Sequence, residues 1–106
     1  MRVEPSTPLS GVTVLEVGAF MAAPFATMQL ADLGARVIKV ENPAGGDPVR
    51  ATGPFLDGES SPFVRLNRNK ESLVLDLKDP DDADVLARLV ERADVLLENY
   101  LSLIHI

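Results

Sequence analysis

What this chain lacks narrows its chemistry first. It has no cysteine, so its own residues cannot form a disulfide framework or a thiolate metal site. Its one histidine, His105, is the penultimate residue, which excludes a His-pair metal site or a His-based triad built within the chain. Tryptophan is absent, tyrosine occurs once, and aromatics make up 5% of the residues. A core must come from Leu, Val and Ala. Cations are the scarcer charge, with 10 Lys and Arg against 16 Asp and Glu, a net charge of −6. Nucleic acid rewards clustered cations and stacking rings, so an acidic chain poor in both is a poor match to it. No apolar run approaches the ~20 residues of a membrane span, and Met1-Arg2-Val3-Glu4-Pro5 lacks the apolar core of a signal peptide. These absences lead us to expect a cytoplasmic protein with no membrane, nucleic-acid or metal partner.

What is present is ordinary globular material. The chain has 106 residues, 46% of them apolar, enough for one domain at most. Residues 1–8 carry Pro, Ser and Thr without an apolar period and read as a flexible lead-in. Residues 12–17, rich in β-branched side chains, predict a strand that buries Val12, Val14 and Leu15. Pro24 suits the first position of a helix, and Phe25, Met28, Leu30 and Leu33 give it an apolar stripe. Gly34 supplies a left-handed stop. Residues 36–40 predict a second strand. The strand-helix-strand pattern is that of a parallel sheet.

Residues 42–62 are dominated by Pro, Gly, Asn, Asp and Ser. They read as a long structureless loop, a kind of segment that tends to be functional. Residues 72–77 predict a third strand. Asp79 then caps a helix with Pro80 at its first position, and Asp81, Asp82 and Asp84 favour the positive end of its dipole. Val85, Leu86, Leu89, Val90 and Ala93 form the expected buried stripe. Residues 93–98 return as a fourth strand. The fold class is therefore α/β: a partial Rossmann-like domain with a largely parallel sheet from two βα units.

Ligands of open α/β sheets collect at the carboxyl ends of the strands. No G-x-G-x-x-G fingerprint or P-loop occupies those turns. Ala19, Ala22 and Ala23 would still let a ligand approach the backbone. Arg65, Arg68, Lys70 and Lys78 gather cations in one stretch of an acidic chain, a pattern suited to a polyanion. The carboxylates Glu16, Asp32 and Glu41 offer no identifiable acid/base pair.

Several ordered blocks carry a family resemblance. They are Pro8-Leu9-Ser10-Gly11-Val12-Thr13-Val14-Leu15-Glu16, Ala22-Ala23-Pro24-Phe25, the stretch from Leu30 to Glu41, and Gly45-Gly46-Asp47-Pro48-Val49-Arg50. They continue with Asn67-Arg68-Asn69-Lys70-Glu71-Ser72-Leu73-Val74-Leu75-Asp76-Leu77-Lys78 and Ala93-Asp94-Val95-Leu96-Leu97-Glu98-Asn99-Tyr100. In these the chain resembles the N-terminal part of the class III CoA-transferases, the family of formyl-CoA, carnitine-CoA and bile-acid CoA transferases. The resemblance implies transfer of CoA between carboxylic acids through an enzyme aspartyl-CoA thioester. Acyl-CoA and a carboxylic acid would be the substrates, no metal would be needed, and the full-length protein would form interlocked homodimers.

The resemblance also implies CoA contacts. Met21 and Ala22 match positions after the first strand, where Met21 replaces a polar residue and is left a backbone or packing role. Asn42 matches a basic residue near the adenosine and cannot supply its charge. Leu75, Asp76, Leu77 and Lys78 match a segment at the nucleotide, with Lys78 keeping the cation. Asn99 and Tyr100 match an amide and an aromatic beside the CoA arm, and Arg50 and Lys70 match recurrent positions in support. The family's catalytic aspartate has no counterpart here. After Tyr100 the family continues Arg-Pro-Gly, whereas this chain has Leu101-Ser102-Leu103-Ile104-His105-Ile106. Residues 9–100 are thus expected to be a truncated N-terminal part and 101–106 a non-native tail. The chain alone is expected to be inactive, with modest stability and exposed apolar surface. A 2-methylacyl-CoA racemase-branch fragment and a non-catalytic nucleotide-binding module are the alternatives.

Overall fold

The computed structural model describes residues 8–99. The expected tail, Tyr100 and nearly all of the lead-in lie outside them. Strand β1 (Thr13–Val17) is followed by helix α1 (Ala22–Asp32) and strand β2 (Arg36–Glu41). A 3-10 turn (Pro48–Ala51) and a short hairpin of β3 (Phe55–Leu56) and β4 (Glu59–Ser60) lead to helix α2 (Ser61–Asn67). Strand β5 (Lys70–Val74), helix α3 (Pro80–Arg92) and strand β6 (Val95–Glu98) complete the order. β1, β2, β5 and β6 form one parallel sheet in the order β5-β2-β1-β6. Counted along the chain, that order is 3-2-1-4, which opens a doubly wound sheet.

The two faces of the sheet bury different sets. Leu15, Val17, Ile38, Val40 and Leu75 meet Leu86, Leu89 and Ala93 from α3 and its end, while Val14, Val37, Ala31 and Ala35 pack together with Leu30 on the α1 side. Covered on both faces, β1 and β2 are buried almost throughout. The end of α1 is a Schellman motif. The Ala35 N–H reaches the Leu30 carbonyl at 3.1 Å, the Gly34 N–H reaches that of Ala31 at 3.0 Å, and Gly34 takes φ 105°.

Several expectations need correction. Pro24 is the third residue of α1, not the first. The N–H groups of the whole first turn lack helical acceptors, so proline is tolerated there too. The buried face of α1 is Ala23, Pro24, Thr27, Met28 and Ala31, whereas Phe25 and Leu33 are exposed. Small residues at four-residue spacing bring the helix close to the sheet and turn the larger ones outward. Residues 42–62 are not structureless. Asp57 and Gly58, both at positive φ, make the hairpin turn, and Ser60 caps α2 by accepting from the Phe63 N–H at 3.2 Å.

The third strand starts and ends earlier than expected. Asp76 takes the chain out of the sheet, accepting from the Lys78 N–H while its own N–H donates to Asp82. On α3 the capping is as expected, with Asp79 accepting from the Asp81 N–H at 2.9 Å. Of its stripe, however, only Leu86, Leu89 and Ala93 pack on the core, and Val85 and Val90 stay exposed at the helix flanks. Val74, Val95 and Leu96, on the two edge strands, are also exposed, in line with the apolar surface expected.

Candidate functional site

Beneath α1 lies a group of charges that the sequence hides. Glu16 and Lys39 are register partners on β1 and β2, facing the α1 side among apolar neighbours. Their side chains are 0% and 1% exposed, and Lys39 Nζ lies 2.6 Å from Glu16 Oε2. The other carboxylate oxygen of Glu16 accepts from Lys70 Nζ at 2.7 Å and from Thr27 Oγ1 at 2.6 Å. Lys70 spends its other two donors on the Pro24 carbonyl and Asn67 Oδ1. Burial pulls its pKa below the usual lysine value, against the pull of Glu16. Asp47 closes the network, with Oδ2 2.9 Å from Lys39 Nζ, an ion-pair distance without hydrogen-bond alignment. Two carboxylates and two ammonium groups thus balance in the interior.

Asp47 also shapes the surface above. Its Oδ1 accepts from the N–H groups of Phe20 at 3.2 Å and Val49 at 2.9 Å. From the other side, Asn99 at the end of β6 grips Ala19. Its Oδ1 accepts the Ala19 N–H at 3.0 Å and its Nδ2 donates to the Ala19 carbonyl at 2.8 Å. The strand order reverses between β1 and β6, and doubly wound sheets open a ligand crevice at that point. A cleft of about 410 Å³ opens near these ends, lined by Gly18, Ala19, Phe20, Asn42, Asp47 and Asn99 among others.

A second ion pair braces the neighbouring loop. Arg50 grips Glu41 through Nε and Nη2, each donating at 2.7 Å, and its guanidinium lies 3.7 Å from the centroid of the Phe63 ring. Ser72 Oγ and the Asp47 N–H also donate to Glu41. Burial opposes ionisation of Glu41, yet these donors hold its pKa at about 2.

Most of the expected contact residues follow strand ends. Met21 and Ala22 are exposed at the start of α1, and Leu75 to Lys78 leave β5, with Leu75 buried and Lys78 exposed. Asn42 lines the cleft, but its amide is engaged by its own loop, with the Ala44 N–H and the Gly46 carbonyl. The expected cation patch divides. Arg68 and Lys70 enter the amino end of β5, where Arg68 and Asn69 bind Asp32 and hold its pKa below the ordinary carboxylate value. Lys70 is internal, while Lys78 stands beyond the carboxyl end of β5. Sequence reasoning missed the Glu16, Lys39, Asp47 and Lys70 network. The available signal was a charge flanked by apolar residues inside each of two predicted strands. Among the described residues no cluster of three or more His, Cys, Asp or Glu could hold a metal, and no helix is long and apolar enough to cross a membrane.

Residues 9–102 match the model of CoA-transferase family III. The chain belongs to that family. It is 48% identical over 94 residues to a succinyl-CoA:glutarate CoA-transferase of Mus musculus, covering 88% of this chain and 22% of that protein. It is 43% identical over 97 residues to an acetyl-CoA:oxalate CoA-transferase of Acetobacter aceti, covering 92% and 25%. The fold superposes on the crystal structure of a CAIB/BAIF family protein from Brucella suis with a TM-score of 0.83. That match has 39% identity and covers 89% of this chain and 26% of that one. The chain therefore spans about a quarter of the length of the family III relatives it matches, at their N-terminal part.

Proposed function

We propose that this chain forms the CoA-binding layer of a CoA-transferase that moves CoA between carboxylic acids. The observation that carries the reading is convergence. Ala22, Asn42, Lys78 and Asn99 come from four separate stretches, and each follows the carboxyl end of a strand of one parallel sheet, where α/β folds hold ligands. Lys78 is an exposed cation available to a phosphate, and Asn99 sets the turn beside the CoA arm.

In the proposed reaction an aspartate carboxylate attacks the thioester carbonyl of the donor acyl-CoA. A mixed anhydride forms and CoA leaves as thiolate. The thiolate then attacks the aspartyl carbonyl, giving an aspartyl-CoA thioester and releasing the donor acid. The acceptor acid reverses both steps. Carboxylate catalysis of this kind divides one difficult exchange into easier ones and calls for no metal. The aspartate belongs to the remainder of the protein, so this chain alone is inactive. The complete protein would work in the cytoplasm as an interlocked homodimer.

Thermal unfolding of the 106-residue chain, followed as CoA is added, tests the binding role. A ligand of the native state at ~100 times its Kd adds ~2.7 kcal/mol, a shift of several degrees for a domain of this size. No shift at millimolar CoA overturns the reading. CoA exchange catalysed by the chain alone overturns the assignment of the nucleophile elsewhere.

A further inference from the structure

We propose that Phe20 is a specificity-determining ligand contact for the neutral pantetheine arm of CoA, presented at the cleft by a strained turn that Asp47 and Asn99 hold in place. The assignment rests on the CoA reading above and adds a residue and a subsite chemistry to it.

Phe20 has φ 65°, in the left-handed region that bulky L-residues avoid. Its side chain does not recover that cost by burial, because the residue is 53% exposed. On stability alone glycine would serve better. Yet the turn is pinned on each side. Asn99 binds both backbone groups of Ala19, and Asp47 accepts the Phe20 N–H. Asp47 is itself fixed from below by Lys39. Gly18 leaves no room to relax, since a Cβ there would lie 2.5 Å from Asn99 Oδ1. Backbone strain that the surroundings over-determine marks a functional position.

The cleft beside Phe20 suits an uncharged group. Its ionisable and amide side chains are already engaged: Glu41 with Arg50, Asp47 with Lys39, Asn42 with its own loop and Asn99 with Ala19. The rest of its wall includes Ala19, Val40 and Pro48. The exposed cation Lys78 stands past β5, at the opposite edge of the sheet from β6. Phe20 itself follows β1, two strands from β5, and strands lie ~4.8 Å apart, so two spacings give ~10 Å. A ligand with phosphates near Lys78 therefore needs a neutral, extended arm to reach Phe20, and pantetheine has that form.

The test uses the 106-residue chain, Phe20→Gly and Phe20→Tyr, with CoA and adenosine 3′,5′-bisphosphate as calorimetric probes. Phe20→Gly is expected to keep or raise the ligand-free unfolding midpoint, weaken CoA binding at least fivefold, and leave bisphosphate binding within twofold. Phe20→Tyr, which keeps the ring, is expected to stay within twofold of the unsubstituted chain for both. Unchanged CoA affinity in Phe20→Gly, equal losses for the two probes, or a clearly lowered midpoint overturns the assignment while the CoA reading stands. Failure of the unsubstituted chain to bind either probe overturns both.

Discussion

Replacing Glu16 by glutamine probes the buried network directly. Gln has nearly the same shape but removes one of two carboxylates that balance Lys39 and Lys70. Both lysines are within 2.7 Å of Glu16 and almost wholly buried. After the change Asp47 is the one carboxylate left in the network for two buried ammonium groups. Removing one partner of a buried pair costs ~3–5 kcal/mol. Lys70 keeps the Pro24 carbonyl and Asn67 Oδ1 as acceptors, which places Glu16→Gln at the lower end, ~3 kcal/mol. Small domains have only ~5–15 kcal/mol in total. In urea unfolding followed by circular dichroism, with a slope of ~1.5 kcal/mol per molar, the midpoint should fall by ~2 M. Lys70→Met removes the second ammonium, so the double substitution should cost less than the sum of the singles by ~1 kcal/mol or more. A single cost under ~1 kcal/mol, or strict additivity, refutes a tightly coupled buried network.

Two further outcomes follow from the site. Glu41 has its carboxyl pKa held at about 2 against an ordinary value of 4.5. It therefore contributes stability that is present above about pH 4.5 and lost as pH falls through about 2. At ~1.4 kcal/mol per unit the depression is worth roughly 3 kcal/mol, and the 40% exposure of Arg50 lowers this to ~2 kcal/mol. Urea midpoints of Arg50→Ala and the unsubstituted chain should converge between pH 4.5 and 2; a gap that persists undiminished at pH 2 refutes this origin. Gly18→Ala would place a Cβ 2.8 Å from that of Ala23 and 2.5 Å from Asn99 Oδ1, costing ~1–3 kcal/mol. Hydrogen exchange at the Ala19 amide should accelerate with it, and an unchanged melting temperature with unchanged exchange rules out the close packing of this turn.

The elements legible in the sequence are those whose signals are local. The Asp79-Pro80 cap, the Gly34 stop and the β-branched runs of β1 and β2 each rest on a few adjacent residues. The short helix α2 escaped because its cap, Ser60, sits in a stretch of Ser, Gly and Pro that reads as turn chemistry throughout. The same stretch hid the hairpin at Asp57-Gly58. Exposure on α1 and α3 was misjudged because periodicity gives a stripe without saying which of its residues meets the sheet.

By itself the sequence determined the α/β class, the parallel sheet and the family, since propensity, capping and ordered motif blocks are written in neighbouring residues. Tertiary structure decided which charges meet. Glu16 and Lys70 are 54 positions apart, and Ala19 and Asn99 are 80 apart. Only the strand order β5-β2-β1-β6 brings them together. Arg68 and Lys70, two residues apart in sequence, part where β5 begins: Arg68, still at the end of α2, binds Asp32 at the surface, and Lys70, the first residue of the strand, is drawn under α1. Pairing energy depends on distance and burial, and neither is fixed until the sheet has formed and the helices cover it.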